Sequence, residues 1–244
     1  MQNLFNVYAG WYDFHTPPDH YIHDHALVLK LAANYGSTAR LLDVGCGTGV
    51  LVEKAQSAGF EAMGLDASAQ MIEVAQTRVR VGSVRVQYMQ SLEDVEQYDL
   101  VVSLSWCVHY CASVEEMAHT IAGFRRALST GGRLLLQVAH GANLNTDWLE
   151  DREIGPTGHV DDVSLRFRFR PDSRQSHSLL ADYDFRCKST REEFYETHHL
   201  NVTDAYQVAE LMKAAGFEAV EIWNSWRQDS FVDGGSVYVT GRRF

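Results

Sequence analysis

The chain has 244 residues, a hydrophobic share of 45% and a formal net charge of −11. That length accommodates an α/β domain with a large core, and an acidic balance without a long basic run argues against a nucleic-acid partner. The opening Met-Gln-Asn-Leu-Phe lacks a charged n-region and an apolar h-region, and no apolar run approaches the roughly 18 residues of a membrane span.

A soluble cytoplasmic protein without a membrane partner is therefore expected, acting alone or as a homodimer. The four cysteines, Cys46, Cys107, Cys111 and Cys187, include no C-x-x-C pair, and no histidine pair stands at zinc-finger spacing. They read as separate reduced thiols, and no metal site is expected.

In chain order, residues 1 to 36 form an N-terminal cap ahead of the first strand. Its segment Val7 to Phe14 is aromatic and includes Tyr8, Trp11 and Tyr12. Pro17-Pro18 breaks the chain, and Asp19 reads as the N-cap of a helix through Ala33. The apolar set Ile22, Ala26, Leu29 and Ala33 recurs along that helix every three or four residues.

Arg40 to Val44 reads as a short buried strand, followed by Gly45-Cys46-Gly47-Thr48-Gly49 and then by Val50, Leu51, Val52 and Ala55 at helical spacing. This is strand, tight glycine turn, helix. Glycines permit positive φ and close approach of the backbone to a ligand, and the helix start offers free N–H groups.

A dinucleotide turn has the pattern G-x-G-x-x-G. Here the spacing is G-x-G-x-G, with Asp43 two residues before the first glycine. A carboxylate at a strand tip repels a pyrophosphate and suits a ligand carrying an ammonium and a sulfonium. S-adenosylmethionine (SAM) is such a ligand. A merely tight strand–helix turn is the alternative, but three glycines over this stretch exceed its needs.

Glu61 to Asp66 is a second strand ending in an acid. Asp66 follows Asp43 at about the 20-residue distance at which a βαβ unit presents an acid to a ribose. Ala67-Ser68 opens a helix carrying Met71. Val84 to Tyr88 alternates as strand three, and Tyr98 to Leu104 is continuously apolar, as a buried parallel strand is. Ser105 to Tyr110 follows, where open α/β sheets bind ligands.

Ser113 and Glu116 make a capping box for a helix to Leu128, stopped by Gly131-Gly132. Arg133 to Val138 is strand five. Thr203-Asp204 opens a helix through Ala215, ended by Gly216. Glu218 to Trp223 and Ser236 to Thr240 are strands six and seven, an antiparallel edge hairpin.

Between strand five and that last helix the chain is far longer than a connection requires. Val163 to Arg170 alternates strictly, Pro171 to Arg174 is a turn, Ser178 to Cys187 alternates again, and Glu192 to Leu200 is a third extended run. Residues 145 to 200 thus read as an antiparallel lid over the strand tips. On its third strand Phe194, Glu196 and His198 share one face, and Tyr195, Thr197 and His199 share the other.

The glycine turn with Asp43, the Asp66 strand tip and the "D-x-S-x-x-M" segment formed by Asp66, Ser68 and Met71 together resemble the class I SAM-dependent methyltransferases of small molecules. The lid layout is similar to that of glycine N-methyltransferase-like enzymes and of N-methyltransferases of nucleotide-linked amino sugars. The resemblance implies a single Rossmann-like α/β domain spanning residues 1 to 244. Its seven-stranded, mostly parallel sheet has the order 3-2-1-4-5-7-6, with helices on both faces and the lid inserted after strand five.

The resemblance also implies methyl transfer from SAM to a small-molecule acceptor, with S-adenosylhomocysteine as product and a place in secondary or specialised metabolism. Expected cofactor contacts are Asp43, Gly45, Cys46, Gly47 and Gly49 at the turn; Asp66 on the ribose, with Ala67 and Met71 beside it; Gln90, Ser91 and Leu92 around the adenine; and Leu104, Ser105 and Trp106 near the methyl group. The family's acid would fall near Gln90 or Ser91, where this sequence has none, and a Gln carbonyl still accepts from the adenine amine.

Tyr8 and Tyr12 match the family's "Y-A-x-x-Y-D" opening, which folds over the cofactor; their other reading is an aromatic plug at the sheet's edge. Candidate catalytic residues are His109, His198 and Tyr12. His109 either contacts substrate or packs under the next helix, and His198 either serves the cavity or is structural. Methylation of a protein or RNA, and SAM binding without transfer, are the competing readings.

Overall fold

Buried parallel strands carry apolar residues on both faces, and β1 (Arg40–Val44), β2 (Glu61–Asp66), β3 (Val84–Val86), β4 (Tyr98–Ser103) and β5 (Leu128–Ala139) follow that rule. Leu100, Val101 and Val102 of β4 are fully buried. The computed structural model describes residues 3–17, 19–159, 161–175, 177–232 and 234–244. Pro18, read above as part of a chain break, lies outside them.

The helices are α1 (Tyr12–His15), α2 (Ile22–Ala33), α3 (Val50–Ser57), α4 (Ala69–Ala75) and α5 (Val114–Ala127). Four antiparallel strands follow: β6 (Leu149–Glu153), β7 (Val163–Pro171), β8 (Leu179–Cys187) and β9 (Glu192–Leu200). The chain ends with α6 (Ala205–Ala214), β10 (Glu218–Trp223) and β11 (Ser236–Arg242).

The seven-stranded sheet runs β10-β11-β5-β4-β1-β2-β3, which is the expected order 3-2-1-4-5-7-6 when only its own strands are counted. β1 pairs in parallel with β2 on one side and β4 on the other, and β11 alone is antiparallel to both its neighbours. Met117, Ile121 and Phe124 of α5 and Val208 and Met212 of α6 fill one face. Leu27, Val28 and Leu31 of α2, Leu51, Val52 and Ala55 of α3, and Ile72 of α4 fill the other. Each fully buried Leu or Phe here contributes about 1.5–3 kcal/mol.

Four local expectations are corrected. Helix α2 begins at Ile22 rather than after Asp19, because the chain ahead of it is held by other bonds, His20 N–H donating to the Pro17 carbonyl and Ile22 N–H to the Asp19 carbonyl. Its buried face is Leu27, Val28, Leu31 and Ala32, while Ile22, Ala26 and Ala33 point to solvent. The denser Leu-Val stripe outcompetes the sparser periodic set for the core. β5 begins at Leu128, before the glycines, since Tyr98 pairs with Leu128 and the register shift after it absorbs Gly131-Gly132.

The lid has a fourth strand, β6, with the sequence Leu-Glu-Asp-Arg-Glu at a sheet edge. Charge is tolerated there, and it discourages further strand addition. The inward lid face carries Phe169, Leu179, Ala181 and Leu200, packed with Trp106 and Tyr110 from the main sheet. On the outer face Asp182 accepts from Arg168 and Arg170 at 2.9 Å each and from Thr197 at 2.7 Å. That buried cluster ties β7, β8 and β9 together.

Candidate functional site

Strand order reverses between β2 and β4 around β1, and ligands of open α/β sheets lie at this switch point. The glycine turn after β1 is stitched to β2: the N–H groups of Gly45 and Cys46 donate to the Leu65 carbonyl at 2.8 and 3.0 Å. Gly45, Gly47 and Gly49 have φ of 77°, 52° and 82°. A side chain at Gly45 would overlap Cys107 Sγ, so only glycine lets the turn pass this close to the segment after β4. Gly49 starts α3 in the left-handed conformation.

Two acids stand at neighbouring strand tips. Asp43 is 4% exposed. Burial, then the nearby charge of Asp66, push its carboxyl up to about 7. Burial also raises Asp66, opposed by the backbone N–H groups of Ser68, Gly47 and Ala67. Asp66 Oδ2 accepts from Gly47 N–H at 3.0 Å and Oδ1 from Ser68 N–H at 2.8 Å, so its position is fixed and lone pairs remain for a ligand. A buried acid pair with elevated carboxyls is electrostatically incomplete until a cation or hydroxyl donors arrive.

The acids border connected spaces. The one beside Asp66, about 370 Å³, is lined by Gly45, Gly47, Asp66, Ala67, Ser68, Met71, Met89, Gln90 and Leu104, and roofed by Phe5 and Tyr12. A narrow arm of about 80 Å³ runs past Asp43, Cys46 and Thr48 under Tyr12 and Tyr21. A further chamber of about 300 Å³ lies between the strand tips and the lid. Its walls include Trp106, Phe167, Phe169 and Tyr183, and it also holds Asp24 and Asp151. Phe5, Tyr12, Ser105 and Tyr110 border both larger spaces.

At the end of that space beside Met89 and Gln90, the Gln90 amide donates to Glu116 Oε2 at 3.4 Å, which turns its carbonyl away from Glu116. The same carboxylate oxygen accepts from Ala112 N–H at 2.5 Å, while Ser113 Oγ accepts from Glu116 N–H at 3.2 Å. The Ser113 half of the expected capping box thus forms, while the glutamate's return bond goes one residue upstream, to Ala112, and the same carboxylate orients Gln90.

After β4, Ser105 and Trp106 both take positive φ, 50° and 60°. Such non-glycine conformations cost about 1–3 kcal/mol each and persist only when held. Ser105 N–H donates to Gln137 Oε1 at 2.8 Å, and Trp106 Nε1–H to Ser236 Oγ at 2.9 Å. The 3₁₀ turn Cys107–Tyr110 follows. It sends neighbouring side chains to different places. His109 is fully buried, with Ala139 N–H donating to its Nε2 at 2.8 Å and its Nδ1–H donating to the Asn201 carbonyl at 2.9 Å. Burial lowers it to about 4, against the pull of that carbonyl.

Tyr110 instead meets the lid. Its hydroxyl lies 2.6 Å from His198 Nδ1, and His198 Nε2 lies 2.8 Å from Glu196 Oε1. Glu196 also accepts from Leu4 N–H and Asn3 N–H, each at 2.8 Å. Burial would raise the Glu196 carboxyl, but His198 and these two N–H groups bring it below its usual value. The N-terminal segment is fastened elsewhere too: Ser68 Oγ donates to the Phe5 carbonyl, Thr48 Oγ1 donates to Asp13 at 2.6 Å, and Arg78 pairs with Asp13.

Several anticipated contacts stand outside the main cavity. Tyr8 stacks on Phe194 of the lid, ring centroids 4.4 Å apart. Leu92 is buried in the core beside α5, and Ser91 Oγ turns back to the Tyr88 carbonyl. Gly49 packs toward Ala75, Cys46 lines the narrow arm, and Trp106 lines the lid chamber. The sequence reading missed Phe5 and, within the Ser105–Tyr110 segment it placed at the ligand edge, did not single out Cys107 or Tyr110. Phe5 arrives from the chain start through long-range bonds, and Tyr110 differs from His109 only by its place in a 3₁₀ turn; neither leaves a periodic signal.

Among known proteins, a family model described as a methyltransferase domain matches residues 20–222. The dTDP-4-amino-2,3,4,6-tetradeoxy-D-glucose N,N-dimethyltransferase of Saccharopolyspora spinosa is 25% identical over 191 residues, 78% of this chain and 67% of that protein. A SAM-dependent methyltransferase structure from Clostridium acetobutylicum superposes with a TM-score of 0.75 at 12% identity, covering 91% and 92% of the two chains. A SAM-bound amino pentose methyltransferase from Micromonospora echinaspora gives 0.68 at 22% identity, covering 90% of each.

Proposed function

The chain belongs to this methyltransferase-domain family, and from that premise we propose that it transfers a methyl group from SAM to a small amine in specialised metabolism. The observation that carries the proposal is the pairing of a two-acid, glycine-floored cavity with an aromatic chamber that also holds acids. SAM fits the donor set. Asp66 would take the ribose hydroxyls, the Gln90 carbonyl the adenine amine, and Asp43 the ammonium at the end of the narrow arm.

SAM supplies an electrophilic methyl group on a sulfonium, already a good leaving group. The protein's task is alignment and exclusion of water. Phe5, Tyr12 and Tyr110 border both spaces and would hold donor and acceptor in line. Such positioning is worth roughly 7–11 kcal/mol of barrier. Trp106, Phe167, Phe169 and Tyr183 suit an apolar or aromatic body, and Asp24 and Asp151 favour a positive charge on it. The amino-substituted substrate in the name of the Saccharopolyspora spinosa relative supports the same class.

His109 is assigned a structural role, since both of its ring nitrogens are spent on backbone groups. Calorimetry with SAM, followed by transfer of radiolabelled methyl to a panel of amines, phenols and keto acids, tests the reading. Label on amines is expected. SAM binding with no label moved to any member would refute small-molecule transfer.

A further inference from the structure

We propose that Tyr110 is the group that takes the proton from the methyl acceptor, passing its own to His198 while Glu196 holds the resulting charge. This inference rests on the methyl-transfer reading above and adds a residue that the sequence motifs do not mark. Tyr110 is placed for the role because it borders both the SAM-sized cavity and the lid chamber, with its hydroxyl 2.6 Å from His198 Nδ1.

A carboxylate only accepts hydrogen bonds, so Glu196 Oε1 at 2.8 Å fixes the proton of neutral His198 on Nε2. Nδ1 then carries a lone pair, and the Tyr110 hydroxyl donates to it. The three groups form a directional chain: phenol to imidazole to carboxylate. His198 is fully buried, and Glu196 is anchored by the N–H groups of Asn3 and Leu4, so neither end drifts. The titratable groups facing the imidazole are Tyr110 from the turn after β4, Tyr183 from β8 and Glu196 from its own strand; Phe5 closes the remaining side, edge-on at 5.2 Å.

The step balances. An acceptor drawn in as an ammonium must lose a proton before its nitrogen pair is free. That N–H bond breaks toward the Tyr110 oxygen as the Tyr110 O–H proton moves to His198 Nδ1, leaving a neutral phenol and an imidazolium paired with Glu196. The freed pair forms the new C–N bond as the methyl–sulfur bond breaks, its electrons staying on sulfur. The imidazolium later returns its proton through Tyr110 to water. Tyrosinate never accumulates, so the burial that raises the Tyr110 phenol is no obstacle.

The experiment has two arms on the full chain. In the first, long-range proton–nitrogen NMR with S-adenosylhomocysteine bound reads the His198 tautomer in wild type and Tyr110→Phe. Protonated Nε2 and a Nδ1 signal that moves in Tyr110→Phe are expected; a Nδ1–H tautomer, or an unmoved signal, overturns the relay whether or not an acceptor is found. In the second, single-turnover methyl transfer to 2-phenylethylamine and the rest of the amine panel is followed against pH. Tyr110→Phe should lose about 10²–10⁴-fold in rate with SAM affinity unchanged.

Glu196→Gln should lower the plateau and move the acidic limb to lower pH, because the imidazolium loses its counter-charge. A Tyr110→Phe plateau within threefold of wild type, or an acidic limb unmoved in Glu196→Gln, overturns the proposal. Silence of wild type on every acceptor instead counts against the methyl-transfer reading, and the NMR arm still decides the relay.

Discussion

With Asp43 on the SAM ammonium, as proposed, binding becomes a proton-linked event. Its carboxyl stands at about 7 without ligand, raised by burial and by Asp66. An ammonium beside it requires the carboxylate, so binding at pH 6 must expel a proton that is already gone at pH 8. For a single group at about 7 the affinity rises about tenfold from pH 6 to pH 8, with about 0.9 proton released at the lower pH and about 0.1 at the higher.

The same elevation sets the sign for folding. The protonated form contributes stability below about pH 4, and this is lost as pH rises through about 7, because the unfolded chain gives up the proton first. Calorimetry in two buffers of different ionisation enthalpy reads the proton count directly. Asp43→Asn should flatten the pH dependence and weaken SAM at pH 8 by about 10- to 100-fold, the loss of one charge-assisted hydrogen bond of about 1.5–3 kcal/mol. Flat wild-type affinity, or proton release that survives in Asp43→Asn, would refute the assignment of Asp43 to the ammonium.

Other outcomes follow from the same geometry. Asp66→Ala should weaken SAM at least tenfold by calorimetry while the far-ultraviolet circular dichroism stays that of wild type, since two hydroxyl contacts of about 1.5–3 kcal/mol each are removed. Gly45→Ala should lower urea stability by about 1–3 kcal/mol, from the overlap with Cys107 Sγ and a φ of 77°.

His109→Ala should destabilise by about 2–5 kcal/mol, leaving the Ala139 N–H and the Asn201 carbonyl unpaired, with the pH–rate profile unshifted. Because His109 is held near 4, wild-type stability from this group is present above about pH 6.5 and lost as pH falls toward 4. Glu116→Ala should raise the KM for SAM about fivefold by freeing the Gln90 amide, and Glu116→Gln should recover part of that.

The sequence carried the parts of this molecule that local pattern writes. Alternation of apolar strands with capped helices marks a parallel α/β sheet, whose order the family resemblance supplies, and Asp43, the glycines and Asp66 mark one ligand edge because each is tied to a neighbour in sequence. The rest was hidden for physical reasons. Strand β6 is too charged to read as a strand away from its partner β7. The buried stripe of α2 is chosen by competition with the sheet, which no single-helix pattern reports.

The lid chamber is assembled from Phe5, Trp106, Phe169 and Tyr183, residues that become neighbours only after the lid folds back over the strand tips. His109 and Tyr110 differ most of all: adjacent in the chain, they part at the 3₁₀ turn, one into backbone bonds and one onto the lid.

The N-terminal segment is bonded to three separate parts of the molecule: to Glu196 on the lid, to Ser68 at the start of α4, and through Asp13 to Thr48 and Arg78. Its Phe5 and Tyr12 roof the space where a ligand would sit. Release of that segment would widen the way in, and it would strip Glu196 of its backbone donors. Traffic and readiness are thus opposed by construction. With the segment released the entrance is wider and the lid's carboxylate slack; with it fastened the carboxylate is taut and the entrance narrower. Loosening residues 3 to 13 should therefore trade tight holding for faster exchange.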